Sequence, residues 1–430
     1  MFLASALCWG CTITIGGSAP FEEDSPAEGA GAGESPPLPE PTVWRVEPPD
    51  LTPEQQQRRV EVDRYLVEQY RDYKIVEATQ GYSGDIVYWI DSSSIPGPHL
   101  DPPPPPWTQE DLTPPPGVKL GRTELDLYPE LRGPAGTTPI HRPDFWMYVM
   151  GETGAISLQD YIENYQAPGK AIGANRLYAG LISPLPNMGA SASINQFQGD
   201  VEHGTFSLIE VTVACHGLNF PATLEQVGAV VSRDRRNFFN AQPRIHVEFI
   251  RPGSQKGGWD EQVPGFIPQR GRPYGPNAVV VTSTPGLETQ EEHFLDIWQD
   301  ASGNWWIAHN GNTLGHYPAK LFKMLNLAAC VSAWYGEIYD ETPTDWTWTD
   351  MGSGEFDTAG YGYASYARNP MFRDLLFAPQ FPADDPAGFT TFMSPFDDAC
   401  YARSFLTSGA PPWSRFFYLG GPGGDAQGCD

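Results

Sequence analysis

Thr205-Phe206-Ser207-Leu208-Ile209-Glu210-Val211-Thr212-Val213-Ala214-Cys215 is a run of β-branched and apolar residues uninterrupted by Gly or Pro. That composition fits a pleated, half-buried strand. Comparable short runs lie around it at Ser191–Phe197, Leu224–Ser232, Ile245–Ile250, Ala278–Thr282, Phe294–Gln299 and Trp305–His309, separated by Gly and Pro. Regularly spaced short strands with turn signals predict a mainly β chain, an antiparallel β-sandwich over residues 178–430. One short helix is expected inside it, from Pro318 to about Ala328, with Pro in the first turn and Leu321, Leu325 and Ala328 on one face.

Upstream the texture differs. Thr52-Pro53-Glu54-Gln55 has the form of a capping box with Pro at the first helical position. Val62, Leu66, Tyr70 and Tyr73 continue that helix on one face, to about Glu77. Gly84–Asp91 reads as a strand, and Pro102–Pro106 as an extended polyproline spacer whose theme Pro114–Pro116 repeats. Residues 51–148 therefore read as a small α+β accessory domain with little core of its own, and 149–177 as an exposed connection. Residues 20–50, rich in Pro, Gly, Ser and acids, read as an unfolded linker. Residues 1–19 read as a signal peptide cut near Ala19, with a lipid-anchored Cys11 as the alternative. No other run is long enough to span a bilayer.

The 430 residues include 53 Asp and Glu against 26 Lys and Arg, a net charge of −27 that repels nucleic acid and anionic membrane surfaces. In an acidic medium many of these carboxylates are protonated and the self-repulsion fades. Cys8 and Cys11 fall in the leader, leaving Cys215, Cys330, Cys400 and Cys429 in an oxidising setting. Cys400 with Cys429 is the favoured disulfide; Cys215 and Cys330 sit in apolar runs where buried free thiols also pack well.

The eight histidines and the four cysteines beyond the leader offer neither HExxH nor CxxC, so no metal is expected, and no cofactor loop is legible. Met351-Gly352-Ser353-Gly354 lacks the spacing of a serine nucleophile elbow and reads as a glycine turn, as does Gly420-Gly421-Pro422-Gly423-Gly424. Carboxylates remain. In Ala333–Tyr339 a strand phase puts Tyr335, Glu337 and Tyr339 on one face, a carboxyl flanked by two phenols. In Thr223–Val231 the same phase puts Glu225 with Val227, Ala229 and Val231, a setting that raises its pKa and demands a partner. The bland readings are a lone Glu on a solvent face and a strand-edge Glu reaching water. Two such groups facing each other would share a proton and supply the acid and base of peptide hydrolysis.

The chain resembles the neprosin family of glutamic prolyl endopeptidases with its activation-peptide domain. Gly84–Asp91 and Thr138-Pro139-Ile140-His141-Arg142 look like blocks of the propeptide. Leu224-Glu225-Gln226-Val227-Gly228 resembles the block with the first catalytic Glu, and Trp334-Tyr335-Gly336-Glu337-Ile338 the block with the second. Pro264-Gly265-Phe266-Ile267, Asn304-Trp305-Trp306, Gly315-His316-Tyr317-Pro318 and Tyr418–Gly423 complete the series in order.

The resemblance implies a secreted, self-inhibited proenzyme cutting after proline in acid. Its residues 51–148 would be the propeptide and intramolecular inhibitor, with the activation cut in 149–177. It implies catalysis by Glu225 and Glu337, substrate contacts from Tyr335, Tyr339, Trp305 and Gln226, proline-containing peptides as substrates, and a monomer without a cofactor. Gln226 is the nearest substitute for Glu225, since related acid peptidases pair Gln with Glu. The Cys pair that usually precedes Pro-Gly-Phe is absent, Trp259–Val263 standing in its place. Competing expectations are a non-catalytic sandwich binding glycans or cell-wall polymers, and a glycosidase using the same two carboxylates.

Overall fold

The computed structural model describes residues 37–430 except 48, 98, 109, 153–156, 165–175, 203, 219–222, 236–237, 239, 241, 253–256, 341–346, 382–391, 394–399, 405–406, 410–412, 426–427 and 430. The proposed leader, with Cys8 and Cys11, lies outside the described residues.

Thr52 caps helix α1 (Pro53–Gln69) through the expected reciprocal box with Gln55. The helix stops at Tyr70, short of Glu77, because Ile75–Gln80 leaves it to become strand β1. β1 pairs with β2 (Ile86–Asp91); after β3 (Val118–Leu120) and helix α2 (Glu124–Leu127), strand β4 (Thr137–His141) completes an antiparallel three-stranded sheet in the order β1-β2-β4. Cross-strand pairing overrides the helical pattern at that boundary. The accessory unit has more core than its sequence signals: Val62, Leu66, Tyr88, Ile90, Ile140 and Phe145 cluster with residues of α3 (Trp146–Met150) and α4 (Leu158–Asn164). Leu158, Tyr161 and Ile162 are buried in that cluster, so this part of 149–177 is not an exposed connection. The end of the linker is pinned too, with the Arg45 and Val46 amides donating to Gln80 Oε1 at 2.6 and 2.9 Å.

The rest is a sandwich of two sheets. Its strands are β5 (Arg176–Ser183), β6 (Gly189–Ile194), β7 (Thr205–Cys215), β8 (Glu225–Asp234), β9 (Arg244–Ile250), β10 (Gly257–Trp259), β11 (Ile267–Pro268), β12 (Gln290–Gln299), β13 (Trp305–His309), β14 (Asn312–Tyr317) and β15 (Val331–Asp340). β16 (Ser365–Arg373), β17 (Pro379–Gln380), β18 (Phe392–Met393), β19 (Ala402–Arg403), β20 (Thr407–Ser408) and β21 (Arg415–Gly420) follow. The first sheet has seven strands in the order β10-β9-β8-β7-β15-β5-β18; the second runs β11-β14-β13-β12-β6-β16-β21-β19. Each central strand turns alternate residues inward. Val211, Val227, Val247 and Trp334 from the first sheet meet Ala192, Ile297, Ile307 and Phe417 from the second in one core. Ala278–Thr282 makes only isolated bridges and is not a strand.

The expected helix after Pro318 is a single 3-10 turn, Ala319–Leu321. Its continuation is pre-empted by Glu225, whose carboxylate accepts the backbone N–H groups of Lys323, Met324 and Leu325, each at 2.8 Å. The Leu325 carbonyl accepts from the Trp305 indole at 2.8 Å and from Gln299 at 2.6 Å. Amides tied to a carboxylate cannot propagate a helix. Next to this knot Cys215 and Cys330 form a disulfide, the pairing the sequence left weaker, and Cys400 bonds Cys429 as favoured.

Glu225→Gln puts an amide N–H₂ against backbone donors inside this knot. It is expected to cost about 1–3 kcal/mol and lower Tm by roughly 3–10 °C, read by thermal unfolding; an unchanged Tm contradicts the assigned role.

Candidate active site

On the face of the seven-stranded sheet turned away from the core, the side chains change character. β15 presents Tyr335, Glu337 and Tyr339 there, as strand phase predicts, while Trp334 and Ile338 enter the core. β7 presents Phe206, Leu208, Glu210 and Thr212; β8 presents Gln226, Gly228 and Val230; β9 presents His246 and Glu248. Antiparallel register places Glu210 opposite Tyr335, Glu248 opposite Gly228, and Glu337 between Leu208 and Tyr178 of β5.

These groups interlock. The Tyr335 hydroxyl donates to Glu210 Oε2 at 2.6 Å, and the Gln226 amide donates to Glu248 and, at 3.4 Å, to Glu210 Oε1. Glu210 and Glu248 also hydrogen-bond each other. Gly228 makes the meeting possible: a Cβ there would stand 2.2 Å from Glu210 Oε1 and 2.7 Å from Glu248 Cγ. On the other side of the cluster Glu337 forms an ion pair with Arg176. The Arg176 guanidinium also lies over the rings of Tyr339 and Phe206, at 5.1 and 5.6 Å, and those two rings stack on each other at 5.2 Å.

Burial dominates the electrostatics. Glu210, Glu248 and Glu337 are 1%, 3% and 3% exposed. Desolvation, and then the charge of Glu337, push Glu248 up to about 7 against the Gln226 and Arg176 contacts. Desolvation and then Glu248 hold Glu210 well above the usual carboxylate range, with the Tyr335 hydroxyl opposing. Two carboxyls in hydrogen-bond contact in a dry setting keep one proton between them. For Arg176, burial is the largest single influence and lowers the pKa, but Glu337, Tyr178, Tyr339 and Glu248 together outweigh it and the pKa is raised, so the guanidinium stays charged.

The structure does not bring Glu225 to this face. It occupies the neighbouring position on β8, so its side chain points between the sheets, where burial pushes its pKa up against the three amides it accepts. The expected pairing of Glu225 with Glu337 is thereby corrected, and Gln226 is the β8 residue that joins Glu337's face. Trp305 is corrected as well: it is fully buried in the intersheet core with its indole committed to Leu325. Glu210 and Glu248 were missed. The legible signal was a single carboxyl in the middle of each of two apolar strands, Leu208–Val213 and Ile245–Ile250.

The neprosin family model matches residues 203–422, a segment containing Glu210, Gln226, Glu248 and Glu337. Loosely similar solved structures include a scytalido-glutamic peptidase with a peptide-based transition-state analogue, at 7% identity and TM-score 0.29, covering 58% of this chain and 98% of that one. SCP-B, an eqolisin-family peptidase in complex with the tripeptide Ala-Ile-His, matches at 7% identity and TM-score 0.27 over the same shares. The family match spans half the chain, includes both tyrosine-flanked Glu337 and the carboxyl pair, and supports a peptidase function: the chain belongs to the neprosin family.

Proposed function

We propose that this protein is a secreted, acid-active glutamic endopeptidase that cleaves on the C-terminal side of proline and is made as a self-inhibited proenzyme. The observation carrying this reading is the convergence of Glu337, the Glu210–Glu248 pair and Gln226 on one strand face. Hydrolysis of an amide needs a base to take a proton from water and an acid to give one to the leaving nitrogen. Glu337, held in an ion pair with Arg176, serves as the base. The Glu210–Glu248 pair keeps its shared proton at acidic pH and serves as the acid, while the neutral Gln226 amide donates to the carbonyl oxygen as negative charge develops there.

The step balances. Water loses a proton to Glu337 and its oxygen bonds the carbonyl carbon; the pair's proton goes to the nitrogen, the C–N bond breaks, and an acid and an amine leave. The Glu337 proton then restores the pair through solvent. Tyr335 and Tyr339 give ring surfaces on which an extended chain containing proline stacks.

The two disulfides fit an oxidising compartment, and among the described residues no helix is long and apolar enough to cross a membrane. Near-complete burial of the three carboxyls supports a form from which substrate is excluded. The accessory unit docks on the strand that carries Glu248: Asp85 forms a buried bidentate pair with Arg244, whose side chain shares a face with Glu248. In the proenzyme reading acid releases that contact, and a cut within 149–177 then frees the mature sandwich.

Incubation with proline-containing peptides at acidic and neutral pH, with cuts mapped by mass spectrometry, tests the activity. Glu337→Gln is expected to lower kcat/KM by about 10³-fold or more with an unchanged circular dichroism spectrum; cleavage unaffected by it refutes the mechanism. The proton pair gives a second expectation. Because Glu248 titrates near 7 in the fold and near 4.5 in the unfolded chain, the native state binds the extra proton in that window and loses stability as pH rises through it. Glu248→Gln removes this dependence, so its Tm relative to wild type rises between pH 4.5 and 7 by the equivalent of up to roughly 3 kcal/mol. A pH-independent Tm difference contradicts the shared proton.

A further inference from the structure

The second sheet carries a surface that the hydrolytic site does not use. On its outer face Trp298, Trp306 and His316 are register partners across β12, β13 and β14 and form a ring ladder, with centroids 6.4 and 4.5 Å apart. The chain's own proline-rich segment lies on it. Leu100 packs on Trp298, Trp306 and Ala308, and Arg270 donates to the Ile95 carbonyl at 2.9 Å where the segment enters. At the far end Trp107 and Leu112 crowd Gly311, in the β13–β14 turn, and β3 pairs parallel with β12.

The tract between these anchors lies with one edge down. Leu100, Pro102, Pro103, Pro106 and Trp107 are half-buried while Asp101, Pro104 and Pro105 are exposed, and five consecutive prolines hold the chain in an extended polyproline conformation along the surface. Beneath it the Trp298 indole N–H is buried with no partner among the described residues, a donor suited to a backbone carbonyl. An aromatic ladder, a guanidinium on carbonyls and an open indole donor are the equipment of polyproline recognition.

We propose that this face is an exosite for extended proline-rich peptide segments, filled in cis by residues 99–107 in the full chain and vacated when the accessory unit leaves. The vacating step rests on the proenzyme reading; the recognition does not. In the mature protein the exosite holds a proline-rich stretch of substrate remote from the bond being cut.

The test uses the full chain at neutral pH, where binding is read apart from turnover. Leu100→Asp unseats the tract, and a fluorescent peptide spanning residues 95–112 is titrated by anisotropy. Should Leu100→Asp fold poorly, Pro103→Gly with Pro106→Gly serves instead. Expected results are saturable binding to the unseated variant, at least tenfold weaker binding to wild type, weaker binding when Arg270→Ala is added, and at least tenfold loss when Gly and Ser replace Pro102–Pro106 in the peptide. No binding to a folded, unseated variant, or equal binding of the Gly-Ser peptide, overturns the exosite. Binding intact, with no cleavage of proline-containing peptides in acid, would count against the peptidase reading instead.

Discussion

Glu225 and Gln226 are adjacent on β8, and the two-residue repeat of a strand sends them to opposite faces of the same sheet. One enters the space between the sheets and gathers three backbone amides; the other joins the carboxyl cluster. This alternation divides the sandwich into a side that holds the fold and a side that holds the chemistry. Because the period is two, a shift of a single residue in assignment exchanges these roles completely.

The fold side fixes the site side. Glu225, Trp305 and Gln299 clamp residues 323–325 just before β15 begins, and the Cys215–Cys330 disulfide ties the end of β7 to the start of β15. β7 and β15 are the central neighbours that carry Glu210 and Glu337, so their register is set by contacts made on the opposite face. Pairing then places Glu210 diagonally across Gly228 from Glu248. The missing side chain at 228 lets two carboxyls approach where any Cβ would separate them. The cost of burying them is met by sharing a proton and by donors from Tyr335 and Gln226.

Much of this was legible beforehand. The β-sandwich, the capped helix α1 and the Tyr335–Glu337–Tyr339 face follow from periodicity and capping, which are local properties. The Cys400–Cys429 bond followed from cysteine arithmetic in an oxidising setting, and the structure forms it. The missing helix after Pro318 was not legible, because its amides are taken by a carboxylate nearly a hundred residues upstream. The same long-range bond explains the misplacement of Glu225, whose apolar strand face correctly announced a buried carboxyl in need of a partner but not which partner. Glu210 and Glu248 escaped because each looks like an ordinary interruption of an apolar strand until register brings them to Gly228. The accessory core was underestimated for a similar reason, since Leu158, Tyr161 and Ile162 contribute to it from beyond the expected boundary.

The central claim is that Glu210 and Glu248 hold one proton between them beside Glu337, which is paired with Arg176. Infrared difference spectroscopy of the folded protein, comparing wild type with Glu210→Gln and Glu248→Gln, reads this directly. A protonated carboxyl component persisting toward neutral pH in wild type and missing from both variants, over the constant contribution of the buried Asp296, is the predicted result. Its absence from wild type at pH 6, or its survival in either variant, would contradict the account.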